Sequence, residues 1–459
     1  MRVLHLNASD SAGGAARAML SLHEALRTLG VESRILCAER RVADPRTGVV
    51  PLTAFGRAMR RAKDERWVWS NRTERSNTHF TLLDHGADAL AHPFVREADV
   101  LHLHWTTGLL SIDEIGEILA SGKPCVWTFH DEWAYTGGCH FTAGCDAWRT
   151  GCDACPQLRE DPQRLVARQF ARKAAAYRRG NMVVVGPSAW IAARSRASAL
   201  LSHMPAVTIA NGVDLEVFHP SRRDAGRALL GVDASTAVLL FGAGSAAERR
   251  KGLPQLRAAL ARLAAARAQH GLDAVTWKVV VVGEPGGVEM PPDAVVLGHV
   301  ADRERLASIV AAADLALLPS LEDNLPNFVA EALACGTPCV AFAAGGVPEM
   351  LDGLPGCALA PVGDSQALAE RIASRLRELE ATRAARPALR AVAEQRYSQI
   401  ANARSYLDLY ESRRASASAA RQPNRVGGQW SRWRTGVDLR VASLFLRLLR
   451  RELRATPRP

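Results

Sequence analysis

Three carboxylates lie close together in the segment LEDNLPNFVAEALACGTP, residues 321–338. The Pro-Asn pair at its centre is typical of a helix start and the Gly-Thr-Pro at its end of a helix stop, so Glu331 is expected on a helix. Asp323 falls in the loop that enters this helix, and Glu322 is interpreted as its solvated neighbour. Because a carboxylate accepts two hydrogen bonds, Asp323 and Glu331 could each hold a vicinal diol, one on a ribose and one on a hexose.

Two other interpretations of this carboxylate pair stay open from the residues alone. Glu331 could be an ordinary solvated helix residue and Asp323 a turn residue without function. Alternatively, the two could act as the acid and the nucleophile or base of a glycoside hydrolase. Hydrolysis would leave the two phosphate-type turns described next without a role.

Each half of the chain has a glycine-rich turn after its first expected strand. In the first half, Gly13 and Gly14 come directly before a helix, where free backbone N–H groups and the positive end of the helix dipole favour a phosphate. In the second half, GAGSAAERRKGL supplies Arg250 and Lys251 before another helix. Either turn alone is a weak signal, but two turns on facing domains could hold a pyrophosphate from both sides.

The elements that must position these residues alternate between short apolar strands and helical patterns, which is typical of parallel sheets covered on both faces. The strands expected in the first half are Val3–Asn7, Ser33–Cys37, Val100–His104, Cys125–His130, Val183–Gly186 and Val207–Ala210. Those in the second half are Val238–Phe241, Trp277–Val282, Ala294–Leu297, Asp314–Leu318 and Cys339–Phe342. The sequence therefore predicts an α/β fold of two doubly wound domains whose cleft faces the carboxyl ends of both sheets.

The expected domain bounds follow from the same pattern. Residues 1–205 form the first domain and residues 206–395 the second, residues 396–412 form a helix that packs back on the first domain, and residues 413–459 form a flexible linker with a basic amphipathic tail. Of the net charge of +11, most lies in the last 49 residues, which hold twelve Arg. A nucleic-acid-binding protein would instead spread basic residues over a folded face with aromatics between them, so no nucleic-acid partner is expected.

Four of the nine cysteines cluster in CHFTAGCDAWRTGCDACPQL, namely Cys139, Cys145, Cys152 and Cys155. Four thiolates at these intervals suit a tetrahedral structural zinc, and the Cys-x-x-Cys pair is the most persuasive part. Unliganded thiols and an iron–sulfur cluster are the alternatives. The odd number of cysteines and the short apolar run at the N-terminus predict reduced thiols and a cytoplasmic protein without a membrane span.

Several motifs together resemble glycosyltransferase family 4, the retaining enzymes of the GT-B fold, and most of all its branch that builds bacterial exopolysaccharides such as colanic acid. The motifs are LLPSLEDNLPNFVAEALACGTPCVAFAAGGVPEML, RKGL, VGPSAWIAARSR, IANGVDLEVFHP and WTFHDEWAYTGGCHF. The resemblance runs over nearly all of residues 1–412. It implies an acceptor-side N-terminal domain and a C-terminal domain that binds a nucleotide sugar.

The family's motif of two Glu separated by seven residues places Asp323 eight positions before Glu331, with Asp where Glu is commoner. The resemblance implies that Asp323 contacts the donor hexose and Glu331 the ribose, and that Asn324 and Leu325 line the donor site. Lys251 matches the diphosphate-binding lysine of the family.

The family arginine that usually precedes this lysine would fall at Ala246, so Arg250 is expected to supply the second charge. In the other domain, Gly13 and Gly14 match the loop near the diphosphate. His130 matches a family histidine that faces the donor sugar, although a histidine at a strand end is often only a core residue.

The expected reaction moves a sugar from a UDP- or GDP-sugar to a hydroxyl of a lipid-linked oligosaccharide or polysaccharide acceptor, with retention. The chain contains no Asp-x-Asp pair, so transfer is expected to need no metal. The basic tail predicts contact with an anionic membrane surface, which makes the protein peripheral on the inner face of the cell membrane. The alternative within the same fold is a catalytically silent subunit that only binds a partner.

Overall fold

The computed structural model describes residues 1–76, 78–82, 85–178, 180 and 182–420. Its N-terminal strands are β1 Arg2–Ser9, β2 Glu32–Glu39, β3 Thr47–Val49, β4 Val100–Leu103, β5 Cys125–Thr128, β6 Met182–Gly186 and β7 Ala206–Thr208. They form one parallel sheet in the order β3-β2-β1-β4-β5-β6-β7. The helices of this domain are α1 Gly13–Thr28, α2 Ala54–Arg60, α3 Pro93–Glu97, α4 Ile112–Ala120, α5 Leu165–Tyr177 and α6 Ala189–Ala197.

The C-terminal domain repeats this architecture. Its strands are β8 Ala237–Ser245, β9 Trp277–Glu284, β10 Val295–Val296, β11 Leu315–Leu318, β12 Cys339–Phe342 and β13 Ala358–Ala360, in the order β10-β9-β8-β11-β12-β13. Its helices are α7 Arg223–Leu230, α8 Leu253–Ala265, α9 Arg303–Ala312, α10 Asn327–Ala334, α11 Val347–Leu351, α12 Ser365–Arg377, α13 Leu379–Ala384 and α14 Arg386–Tyr397. Strands β11 and β12 are buried along their whole length because helices cover both faces, which is why they read as continuous apolar runs.

Each strand expected from the sequence is present, and all but Cys339–Phe342 have shifted ends. Two strands were not expected, Thr47–Val49 and Ala358–Ala360, and both are three-residue strands at sheet edges, too short for a periodic signal. Strand Ala206–Thr208 pairs with β6, so the first sheet extends past the boundary expected at residue 205. This strand was itself expected from the sequence in the first half of the chain, as Val207–Ala210.

A long helix, α15 Gln399–Ala420, returns from the C-terminal domain to the first sheet. Tyr406 and Tyr410 are buried there among apolar side chains of β1, β4 and α1. The helix includes residues 413–420, which were expected to start the flexible linker, because Arg, Ala and Ser in this segment give no stop signal. The basic amphipathic tail expected at the end of the chain lies outside the described residues.

The chain crosses between the domains twice, and the two crossings lie side by side. The backbone N–H of Val213 donates to the carbonyl of Tyr397 at 2.7 Å, and that of Gln399 donates to Val213 at 3.1 Å. A Cβ on Gly212 would lie 2.5 Å from the Cα of Gln399, so this close approach requires glycine. None of the helices in the described part of the chain has the length and apolar character that crossing a membrane requires.

Buried histidines interrupt the apolar pattern of the first domain. His5 on β1, His102 on β4, His104 directly after β4, and His23 on α1 are each at most 4% exposed. His5 Nδ1 lies 3.0 Å from His104 Nε2, and His102 Nδ1 lies 2.6 Å from the hydroxyl of Tyr410. Burial lowers the pKa of all four imidazoles, that of His23 to about 4, so they are neutral at pH 7.

Because these buried histidines are neutral in the folded protein, we expect acid to destabilise it. A folded-state pKa near 4 for His23, against 6.5 unfolded, means that the unfolded chain binds more protons as the pH falls through this window, so stability falls with it. In urea unfolding at pH 7 and pH 5, His23→Gln should reduce the acid-induced loss of unfolding free energy by about 2 kcal/mol. The exposed His203→Gln is the control, and an equal pH dependence in both variants would contradict the prediction.

Candidate functional site

The basic turn of the second domain is fixed by a close backbone approach. Residues Arg249–Lys251 form one 3-10 turn between β8 and α8, and Gly252 follows with φ +71°. A Cβ on Gly252 would lie 1.7 Å from the carbonyl oxygen of Pro319, so a glycine is needed for the turn to reach the end of β11. Leu321 then donates its N–H to the carbonyl of Arg250 at 2.7 Å. The basic turn and the 321–326 loop are thereby held together.

Asp323 is the centre of a buried charge cluster in this loop. Lys251 Nζ donates to Asp323 Oδ2 at 2.7 Å, and Arg250 Nη1 lies 3.3 Å from the same oxygen. Arg250 also donates through Nε to Glu248 at 2.7 Å. Burial alone would raise the pKa of Asp323, but Lys251 and Arg250 hold it below its usual value, so the carboxylate is charged.

The residue after Asp323 connects the two domains. The Asn324 side chain donates to the carbonyl oxygen of Phe129 at 2.9 Å and accepts from the hydroxyl of Ser188 at 2.5 Å. Asn324 is 3% exposed, so both bonds lie away from solvent. Leu325 is buried in the core of the second domain and supports the loop by packing. Asn324 therefore connects the 321–326 loop to the ends of β5 and β6.

Glu331 lies on α10, whose first turn has no side-chain cap. The residue is 9% exposed, and its Oε1 lies 4.0 Å from Nη1 of Arg17 on α1. Burial raises the pKa of this carboxyl, and the charges of Arg17 and Arg303 oppose the rise. The structure thus places Glu331 on a rigid element that faces the first domain.

The N-termini of two helices meet at the domain interface. Helix α1 begins at Gly13, with φ +86°, and its first turn also lacks a side-chain cap. Asn327, the first residue of α10, donates to the carbonyl of Gly14 at 3.0 Å and accepts from Asn211 at 3.0 Å. Two uncapped N-termini at one place form an environment that favours an anion.

His130 follows β5 and lies directly after the carbonyl that Asn324 binds. Its Nε2 is 3.1 Å from His104 Nδ1, and the two rings stack with centroids 5.4 Å apart. Burial lowers the pKa of His130 to about 4, against the opposing charge of Asp131. His130 is therefore neutral at pH 7, and His104 sets the orientation of its ring.

The cysteine cluster lies beside this site. Cys139, Cys145, Cys152 and Cys155 line one small cavity. In the described part of the chain, the three potential metal ligands whose ligand atoms lie within 4.8 Å of one another are His5, His102 and His104. His5 Nδ1 lies 3.0 Å from His104 Nε2.

The interpretation of Glu322 as a solvated neighbour was wrong. Its carboxylate accepts the backbone N–H of Ala143 at 2.9 and 3.1 Å, across the domain interface. The sequence also gave no signal for Glu248, which pairs with Arg250, or for Ser188, which binds Asn324. These partners are distant in sequence, and only the packing of the two domains brings them together.

Two family models match the chain in succession. The one described as Glycosyltransferase Family 4 matches residues 12–217, and the one described as Glycosyl transferases group 1 matches residues 236–378. The chain belongs to these glycosyltransferases. This confirms the family expected from the motifs, and the two matches follow the two sheets of the structure.

Curated relatives match over part of their length. The putative colanic acid biosynthesis glycosyl transferase WcaC of Escherichia coli is 44% identical over 75 residues, which are 16% of this chain and 18% of that protein. A D-inositol 3-phosphate glycosyltransferase of Saccharomonospora viridis is 34% identical over 230 residues, 46% of this chain and 50% of that protein. The matched part of this glycosyltransferase thus spans half or less of these relatives.

Solved structures confirm the GT-B fold. A sucrose-phosphate synthase from Thermosynechococcus elongatus superposes with a TM-score of 0.63 at 18% identity, covering 91% of this chain and all of the other. HepE of Anabaena, in complex with UDP-glucose, has a TM-score of 0.60 at 17% identity, covering 90% of this chain and all of the other. At such identities the likeness concerns the fold alone.

We expect a large loss of stability when the carboxylate of the charge cluster is replaced by an uncharged amide of similar size. Asp323→Asn removes the carboxylate that Lys251 and Arg250 share, and leaving buried cations unpaired should lower the free energy of unfolding by about 3 kcal/mol. Urea unfolding at pH 7 measures the effect. Glu322→Gln, the matched control, keeps an oxygen acceptor for Ala143 and should change stability by less than about 1 kcal/mol. Equal effects of the two substitutions would refute this account of the cluster.

Proposed function

We propose that this glycosyltransferase moves a sugar from a nucleoside diphosphate sugar to an acceptor hydroxyl, with retention at the anomeric carbon. The observation that carries the proposal is the position of Lys251, Arg250 and two uncapped helix N-termini around the 321–327 loop. Such an arrangement fits a diphosphate, which carries its charge on several oxygens. The donor then lies between the two domains.

Lys251 and Arg250 stabilise the leaving diphosphate in this proposal. An ammonium group has three N–H donors, and Lys251 uses one of them on Asp323, so it can bind a phosphate oxygen without losing its partner. The dipoles of α1 and α10 add fixed positive potential where negative charge develops. Because these groups are already in place before the reaction, little reorganisation is needed in the transition state.

The two carboxylates orient the donor. Asp323 is charged, so it accepts hydrogen bonds from hydroxyls of the donor hexose, and Glu331 on α10 accepts those of the ribose. Asn324 and Leu325 shape the loop between them, and Gly13 and Gly14 bring backbone N–H groups close to the diphosphate. His130 is neutral and offers a ring nitrogen toward the sugar without adding a charge.

The reaction breaks the bond between the anomeric carbon and the diphosphate oxygen and forms a bond from that carbon to the acceptor oxygen. The acceptor proton passes to the leaving phosphate on the same face, which gives retention. The protein's cations take the place of the metal that an Asp-x-Asp pair would hold, so adding Mg²⁺ or Mn²⁺ is not needed for transfer.

The donor and the acceptor are proposed by class. HepE of Anabaena is solved with UDP-glucose and with UDP, which supports a UDP-sugar donor with a GDP-sugar as the alternative. The relative WcaC is described as a putative colanic acid enzyme, which supports a lipid-linked or polysaccharide acceptor in surface-glycan synthesis.

A panel of UDP-, GDP- and ADP-sugars tests the function by thermal shift and by release of free nucleoside diphosphate. One donor class should raise the melting temperature and turn over in metal-free buffer. Glu331→Gln should lower kcat/KM for that donor at least about 30-fold, or about 2 kcal/mol, whereas the exposed Glu370→Gln should leave it unchanged. Binding without turnover would favour the silent subunit, and no response to any nucleotide sugar would remove the proposal.

We also propose that the basic tail beyond residue 420 holds the protein on an anionic membrane surface. Its Arg residues outnumber its two acidic residues, and such segments bind anionic lipid headgroups in a salt-dependent way. In liposome flotation, the full chain should float with phosphatidylglycerol vesicles at low salt and not with phosphatidylcholine vesicles. A chain ending at Ala420 should stay in the soluble fraction. Equal recovery of both chains would remove the membrane claim.

A further inference from the structure

The four clustered cysteines converge on one place although 16 positions separate the first from the last. All four line the same small cavity, and Cys139 is buried while the other three are partly buried. The cavity is also lined by apolar side chains such as Trp148 and Phe80, and by the uncharged polar residues Thr136, Thr142 and Gln157. Four cysteine sulfurs around one cavity are suited to bind a metal ion.

Backbone N–H groups point at the sulfurs. Gly137 donates to Cys152 Sγ at 3.3 Å and Ala147 to Cys145 Sγ at 3.5 Å. The backbone N–H of Leu158 donates to the carbonyl oxygen of Cys155 at 3.1 Å. Hydrogen bonds from N–H groups to sulfur orient thiolate ligands and spread their charge, as is usual around bound metals.

We propose that Cys139, Cys145, Cys152 and Cys155 bind one structural Zn²⁺ ion with four thiolates. Within the described residues no three of these sulfurs lie within 4.8 Å of one another, so the ion would draw them together by rotation of their side chains inside the cavity. Four protein ligands leave no open position on the metal, so the site is structural and takes no part in the transfer.

The chain between the first two ligands carries contacts to the donor-side charge cluster. The ring of Phe141 lies 4.5 Å from the guanidinium of Arg250, and the N–H of Ala143 binds the carboxylate of Glu322. Gln157, just after the last ligand, donates to the carbonyl of Phe141 at 2.8 Å. The zinc therefore fixes a segment, residues 140–144, that packs against the basic turn and its loop.

The first test is metal content, measured without any sugar substrate. The full chain purified under reducing conditions should contain about one zinc per chain by mass spectrometry, and Cys152→Ser should contain less than about one-tenth of that. Cys37→Ser is the matched control, since this thiol is buried on β2 outside the cluster, and it should keep its zinc. Zinc-free protein, iron with visible absorption, or full zinc in Cys152→Ser would each overturn the proposal.

A second measurement uses the unmodified protein, so it does not depend on the variant folding. Titration with an organomercurial in the presence of a coloured zinc indicator should release one zinc as about four thiols react. Hydrogen exchange over residues 140–144 should then accelerate at least about tenfold, while exchange in β12 stays unchanged. Unchanged exchange in residues 140–144 after zinc loss would contradict the role assigned to the ion. Because neither readout needs a nucleotide sugar, the proposed sugar transfer can fail without affecting this result.

Discussion

One buried carboxylate shared by two cations sets the geometry of the cleft. Asp323, Lys251 and Arg250 are all largely removed from water, and each charge would cost several kcal/mol there without its partners. The pairing is possible because Gly252 lets the basic turn approach the end of β11 within contact distance of a backbone oxygen. A larger residue at that position would move both cations away from the carboxylate. The chemistry of the cleft thus depends on a backbone contact that carries no charge.

The 321–326 loop and helix α11 connect the two domains through hydrogen bonds. Asn324 bonds to groups that follow the adjacent strands β5 and β6, and Glu322 binds the backbone of Ala143. Glu349 of α11 accepts the N–H groups of Ala189 and Trp190, so a carboxylate of one domain caps helix α6 of the other. Apart from the side-chain bond between Asn324 and Ser188, these bonds use backbone groups outside regular elements or in the first turn of a helix, where no intrahelical or interstrand partner is available.

The sequence predicted the secondary-structure elements better than it predicted the contacts between distant residues. The two sheets followed from apolar runs, and the spacing of Asp323 and Glu331 selected them from three carboxylates. Glu322 was misjudged because its partner lies 179 residues away, and no local pattern records such a contact. The bonds between His104 and His130 were also missed, since alternating histidines in a buried strand look like ordinary core residues until the neighbouring strand is known. The periodicity of apolar residues does not show which ends of different strands and helices come together in the fold.

The paired crossings at residues 212–213 and 397–399 have a mechanical consequence. A single covalent link between two domains permits rotation about several axes, but two links bonded side by side resist twisting and sliding. Bending about the line that joins them is the remaining soft motion, and it opens or closes the cleft at its far side. The lack of a Cβ at Gly212 permits the close contact that holds the two crossings side by side.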